Sequence, residues 1–76
     1  MQALSNGKLG HAYKISEVLN CCPIKIKRRL FDLGFLSGTS IRVVRKSLLN
    51  KVLLVEIRGY TLSLQKKIAD YILIGG

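Results

Sequence analysis

The stretch Val52-Leu53-Leu54-Val55-Glu56-Ile57-Arg58-Gly59-Tyr60-Thr61-Leu62-Ser63-Leu64 decides the fold. Its first seven residues are almost all Val, Leu and Ile, the side chains that suit a pleated, buried surface. The nearly unbroken apolar run predicts burial on both faces over the first half of this strand. Gly59-Tyr60 predicts a tight turn, and Thr61 to Leu64 alternates polar with apolar, the period of a strand with one face buried. Thirteen residues therefore read as strand, turn, strand, and the rest of the chain must cover what that hairpin leaves exposed.

Upstream, Ile41-Arg42-Val43-Val44-Arg45-Lys46 is β-branched and half alternating, so it predicts another strand, joined to the first by a loop over Ser47 to Lys51. Further back, His11 to Leu19 places Tyr13, Ile15 and Val18 among polar neighbours and predicts the opening strand. Asn20-Cys21-Cys22-Pro23 ends it, and proline suits the first position of a helix because its missing N–H costs nothing there. From Pro23 the apolar period becomes helical, with Ile26, Leu30 and Leu33 at i, i+4 and i+7 and Phe31 assigned to the core with them. Gly34 stands where a left-handed C-cap is expected. Downstream, Gln65 to Asp70 allows one helical turn with Ile68 and Ala69 inward, and Tyr71 to Ile74 predicts a last short strand. The expected fold is mainly β: a small five-stranded antiparallel barrel, one α-helix after the first strand, a short helical turn near the C-terminus, and a single domain over 1–76.

Composition bounds what such a barrel does. Thirteen Lys and Arg against four Asp and Glu leave a net charge of +9, yet 49% of the 76 residues are apolar. Disorder needs low hydrophobicity as well as high charge, and only the charge is present. A transmembrane helix needs about 20 consecutive apolar residues, whereas the longest stretch without a charge, Leu33 to Ile41, is short and holds two glycines. The first residues lack the apolar centre of a signal peptide, so the expected location is the cytoplasm. Cys21 and Cys22 are adjacent, a spacing that strains a disulfide and staples no loop, so both are expected as thiols.

Three segments carry a family likeness. Leu4, Gly10 and Ile15 at the start, Arg29-Leu30-Phe31-Asp32-Leu33-Gly34-Phe35-Leu36-Ser37-Gly38 in the middle, and Arg58-Gly59-Tyr60-Thr61-Leu62-Ser63-Leu64 with Ala69 and Ile72 at the end together resemble the FeoA family. Ser37 departs from the family's usual proline before the second glycine, and Leu48-Leu49-Asn50 departs from its more polar hairpin tip. The resemblance implies an SH3-like barrel, a cytoplasmic location and a non-catalytic accessory role beside FeoB, the membrane ferrous iron transporter with a GTP-binding domain. It also implies a structural partner for Arg29, for which Asp32 is the candidate.

The residues themselves point the same way. His11, Glu17, Cys21, Cys22, Asp32, Glu56 and Asp70 form no metal-ligand spacing, and no cofactor motif or phosphate-binding loop occurs. Lys25-Ile26-Lys27-Arg28-Arg29 places four cations on one helix, a local positive potential that attracts acidic protein or an anionic membrane surface. Phe35 and Leu36 are expected to cap the barrel, whereas Leu48 and Leu49 predict an exposed apolar contact, for a partner or for self-association. The expected partner-binding residues are Leu48, Leu49, Lys25, Lys27 and Arg28. The alternative is a small basic barrel that binds nucleic acid through phosphate contacts, against which stand the few aromatics placed for base stacking.

Overall fold

The structure, a computed structural model, describes residues 1–75. In chain order it contains β1 (Gln2–Ala3), a 3-10 turn (Leu4–Asn6), β2 (Ala12–Val18), α1 (Ile24–Asp32), β3 (Ser40–Lys46), β4 (Val52–Ile57), β5 (Tyr60–Gln65), α2 (Lys66–Ala69) and β6 (Ile72–Gly75). The strands form one antiparallel sheet in the order β1-β6-β2-β3-β4-β5. The mainly β barrel expected from the periodicity is present, with one strand more than the sequence predicts. The addition, β1, is a two-residue pairing of Gln2 with Ile74 and Ala3 with Leu73. Two residues have no period to read.

The core is built by alternation. Leu53, Val55 and Ile57 of β4 point inward and are buried, as are Ile41 and Val43 of β3 and Ile72 and Ile74 of β6. β4 is not buried on both faces: Val52 is exposed and Leu54 only half-buried. Two register shifts curve the sheet. One lies between Ile15 and Glu17, so that Ile15 and Val18, three apart, both face the core. The other lies between Val43 and Arg45, leaving Val44 as the unpaired residue and exposed. Such bulges bend a strand and increase its twist, as closing a small barrel requires.

The β4–β5 turn falls one residue earlier than the sequence predicts. Arg58 and Gly59, at φ +51° and +84°, make the two-residue loop, and Tyr60 already pairs with Ile57. Two positive φ values are those of a type I′ turn, whose twist matches that of the strands it joins. Asn or Gly is the usual first residue; Arg58 conceals the turn. In α1 only Leu30 is buried, with Ile26 and Leu33 half-buried. Phe31, assigned to the core from the sequence, is 41% exposed; the buried aromatic is Phe35, just past the helix end. Leu36, expected to cap the barrel beside it, is exposed.

Candidate functional site

The Ser47–Lys51 loop between β3 and β4 is tied to itself. Ser47 Oγ accepts the backbone N–H groups of Lys51 and Val52 at 3.0 and 3.1 Å. The Asn50 N–H donates to the Ser47 carbonyl at 2.8 Å, and Asn50 takes the left-handed conformation, φ +56°. With the backbone held by its own serine, Leu48 and Leu49 are turned outward, 100% and 73% exposed. An ordered loop loses little entropy when its side chains are buried against a partner.

Two shallow hollows flank this tip. One, about 230 Å³, is lined by Arg45, Ser47, Val52, Leu54 and Ser63. The other, about 410 Å³, is lined by Lys51, Val52, Gln65, Lys66, Lys67 and Asp70. The Lys66 N–H donates to the Lys51 carbonyl at 2.7 Å, fixing the start of α2 beside the loop. Lys66 is paired with Asp70 at 3.3 Å, so Lys51, Lys67 and Arg45 are the cations beside the tip with no ion pair among the described residues. Sequence reasoning missed this group. Its members are six to twenty-two positions apart, and only the adjacent pair Lys66-Lys67 gave a local signal.

The structure does not bring the helix cations to the tip. The C-terminal end of α1 rests against the β4–β5 turn, at the far end of β4, about 20 Å away for six residues of strand. There the Tyr60 hydroxyl donates to the Leu33 carbonyl, and the Arg58 side chain lies over Gly34. Lys25 and Arg28 are exposed on α1. Lys27 is half-buried, donates to Asn20 Oδ1 at 3.1 Å and sits 6.0 Å above the Phe31 ring. No α1 residue lines either hollow. The expected Arg29–Asp32 pair is not formed among the described residues, where the ion pairs are Arg42–Glu56 at 3.9 Å and Lys66–Asp70.

A third cluster holds the N-terminus. The Ser5 hydroxyl, buried, donates to the Asp70 carboxylate, while Lys46 Nζ donates to the Ser5 carbonyl at 3.1 Å. The β3 bulge is what turns Lys46 toward that carbonyl: past it, Lys46 pairs with the buried Leu53 and shares its inward direction. Cys21 is exposed and Cys22 buried, both as free thiols, and burial pushes the Cys22 thiol above its ordinary range. Among the described residues no three His, Cys, Asp or Glu side chains converge, and no helix is long and apolar enough to cross a membrane.

Comparison with known proteins places this arrangement. The family model of the FeoA domain matches residues 2–75. No curated protein matches the chain. Among solved structures, the chain is similar to FeoA protein from Chlorobium tepidum, with 27% identity, a TM-score of 0.87, and coverage of 97% of this chain and 69% of that one. It is likewise similar to Stenotrophomonas maltophilia FeoA complexed with zinc, described as a prokaryotic SH3 domain protein and a candidate activating factor of ferrous iron transport. That pair has 26% identity, a TM-score of 0.85, and coverage of 97% and 89%. A manganese-dependent transcriptional repressor in complex with manganese shares the fold at 17% identity and a TM-score of 0.89, over 99% of this chain and 36% of that one. With a family match over nearly its whole length and an SH3-like fold to go with it, the chain belongs to the FeoA family of ferrous iron transport proteins.

Proposed function

We propose that this chain is a non-catalytic, cytoplasmic accessory protein that binds the cytoplasmic part of the ferrous iron transporter FeoB and modulates uptake. The observation that carries the reading is the pair Leu48 and Leu49, turned into solvent by a loop that hydrogen-bonds to its own serine. A leucine buried on contact contributes about 1.5–3 kcal/mol, so the two supply an apolar anchor for a larger interface, part of which offsets the cost of association. Lys51, Lys67 and Arg45 around them favour an acidic surface and speed the encounter. The net charge of +9 opposes pairing of two copies through this same region.

The test is a pull-down and titration against the soluble GTP-binding domain of FeoB. Leu48→Asp is expected to weaken binding at least tenfold, about 1.4 kcal/mol, without changing the melting temperature. Equal binding by the variant moves the interface away from the tip. Unchanged ferrous iron uptake in a strain lacking the protein, under iron limitation, rejects the role itself. Capture of oligonucleotides instead of FeoB, with a steep loss on adding salt, would assign the basic surface to nucleic acid.

A further inference from the structure

The side of α1 that faces solvent is not a polar face. With Ile26, Leu30 and Leu33 marking the buried direction, a turn of 100° per residue puts Ile24, Arg28 and Phe31 on the opposite side and Lys27 at its border, a row at i, i+3, i+4 and i+7. Ile24 is 61% exposed and Phe31 41%, and Leu36 just beyond the helix is exposed as well. Two apolar groups one and a half to two turns apart thus alternate with two cations. Lys25 adds a third cation at the border beside the acid Asp32, while Arg29 points to the other flank of the helix. The ridge is the outward side of a surface helix, and none of its residues lines the hollows beside the tip or the one beside Arg42 and Arg58.

We propose that this ridge is a membrane-contact surface, seated on an anionic lipid leaflet with Ile24 and Phe31 entering the headgroup boundary and Lys25, Lys27 and Arg28 on the lipid phosphates. The charge of the ridge is complementary to such a leaflet, and its shape fits a deformable surface: a helix lying in the interface needs an apolar stripe bordered by long cationic side chains, not a groove. Lys27 is placed beside this face, its ammonium 6.0 Å above the Phe31 ring and able to exchange its exposed hydrogen bond to Asn20 for one to a phosphate. The ridge is separate from the Leu48–Leu49 tip, so a leaflet at α1 leaves the tip open to a protein partner.

The test uses vesicles alone, and so is independent of FeoB. The chain contains no tryptophan, which makes Phe31→Trp and Leu48→Trp site-specific reporters. With vesicles rich in phosphatidylglycerol, Trp emission at position 31 is expected to shift to the blue and to be quenched by brominated acyl chains, while emission at position 48 stays that of solvent. With pure phosphatidylcholine both are expected to remain unchanged. In co-sedimentation, Lys27→Gln with Arg28→Gln is expected to lower the partition coefficient about 25-fold, at roughly fivefold per basic residue near an anionic surface. Lys66→Gln with Lys67→Gln, remote from the ridge, is expected to leave it within about threefold, since their headgroup contact would be lost only in another orientation. All four positions are solvent-facing or half-buried, and an unchanged melting curve verifies the fold of each variant. Failure to sediment with anionic vesicles overturns the proposal. So does quenching at position 48 in place of 31, or an equal loss for the Lys27–Arg28 and Lys66–Lys67 pairs. A blue shift at position 31 on adding the FeoB soluble domain but not vesicles would make the ridge a protein interface and overturn it equally.

Discussion

Replacing Gly34 with Ala tests the junction on which α1 is set. Gly34 has φ +100°, a conformation that L side chains rarely adopt, and holding one there costs about 1–3 kcal/mol. A Cβ at this position would also lie 2.5 Å from Cδ of Arg58, well inside contact distance. Arg58 is exposed, so its side chain can swing away and relieve the overlap at little cost; the backbone has no such exit. The expected loss is therefore dominated by the dihedral angle. For a domain of this size each kcal/mol moves the midpoint by about 4–8 °C, so the variant should melt roughly 5–20 °C lower. The assay is thermal and urea unfolding by circular dichroism, on Gly34→Ala, Arg58→Ala and the double variant. Most of the loss should persist in the double variant, with a coupling of no more than about 0.5 kcal/mol, because removing Arg58 frees the space and leaves the φ angle. A midpoint within about 2 °C of the wild type would refute the left-handed conformation at Gly34. Complete rescue by Arg58→Ala would show that the contact, and not the dihedral, sets the cost.

Other expectations follow from the core, the terminal link and the thiols. Leu53→Ala, which empties a fully buried position, should cost about 2–5 kcal/mol in chemical denaturation, a large part of the roughly 4–11 kcal/mol available to a chain of this length. Ser5→Ala leaves the Asp70 carboxylate without its buried donor and should cost about 1–2 kcal/mol; hydrogen exchange should show the loss concentrated at β1 and α2. A thiol reagent should modify Cys21 promptly and Cys22 only on unfolding. Because burial raises the folded-state pKa of Cys22, its contribution to stability is intact below the pKa of the unfolded thiol and is lost as pH rises through the folded value. Denaturation midpoints of wild type and Cys22→Ala measured from neutral to alkaline pH should show the wild type falling more steeply.

The parts of the fold legible in the sequence are those written in local periodicity. Alternation marked β5, the helical spacing of Ile26, Leu30 and Leu33 marked α1, and the glycine after Leu33 marked its end. What escaped depends on contacts between distant residues. Phe31 and Phe35 stand four apart and look equivalent on a helical projection, but the chain leaves the helix between them, so Phe35 turns inward and Phe31 does not. The bulge that turns Lys46 to Ser5 leaves no trace in composition, since Val43-Val44-Arg45 suits a regular strand equally well. At the candidate site, the exposure of Leu48 and Leu49 was legible because two leucines stood in a turn. The cations that the structure places beside them are not the ones conspicuous in sequence. A run of four on one helix is conspicuous in sequence, while Arg45, Lys51 and Lys67 assemble only when α2 is fixed against the loop.

The position of β6 has a consequence for how the protein is made. Ile72–Gly75 is the last strand among the described residues, yet it lies inside the sheet, between β1 and β2, and brings in Ile72 and Ile74, both fully buried. Until residue 75 has left the ribosomal exit tunnel, β1 and β2 have no neighbour in common and the inner face of β2 lacks its cover. The hairpins β3–β4 and β4–β5 can pair as they emerge, but the nascent chain must carry an open sheet until synthesis has passed β6. Completion is then a single late insertion, and a stalled ribosome would hold the protein with its barrel unclosed.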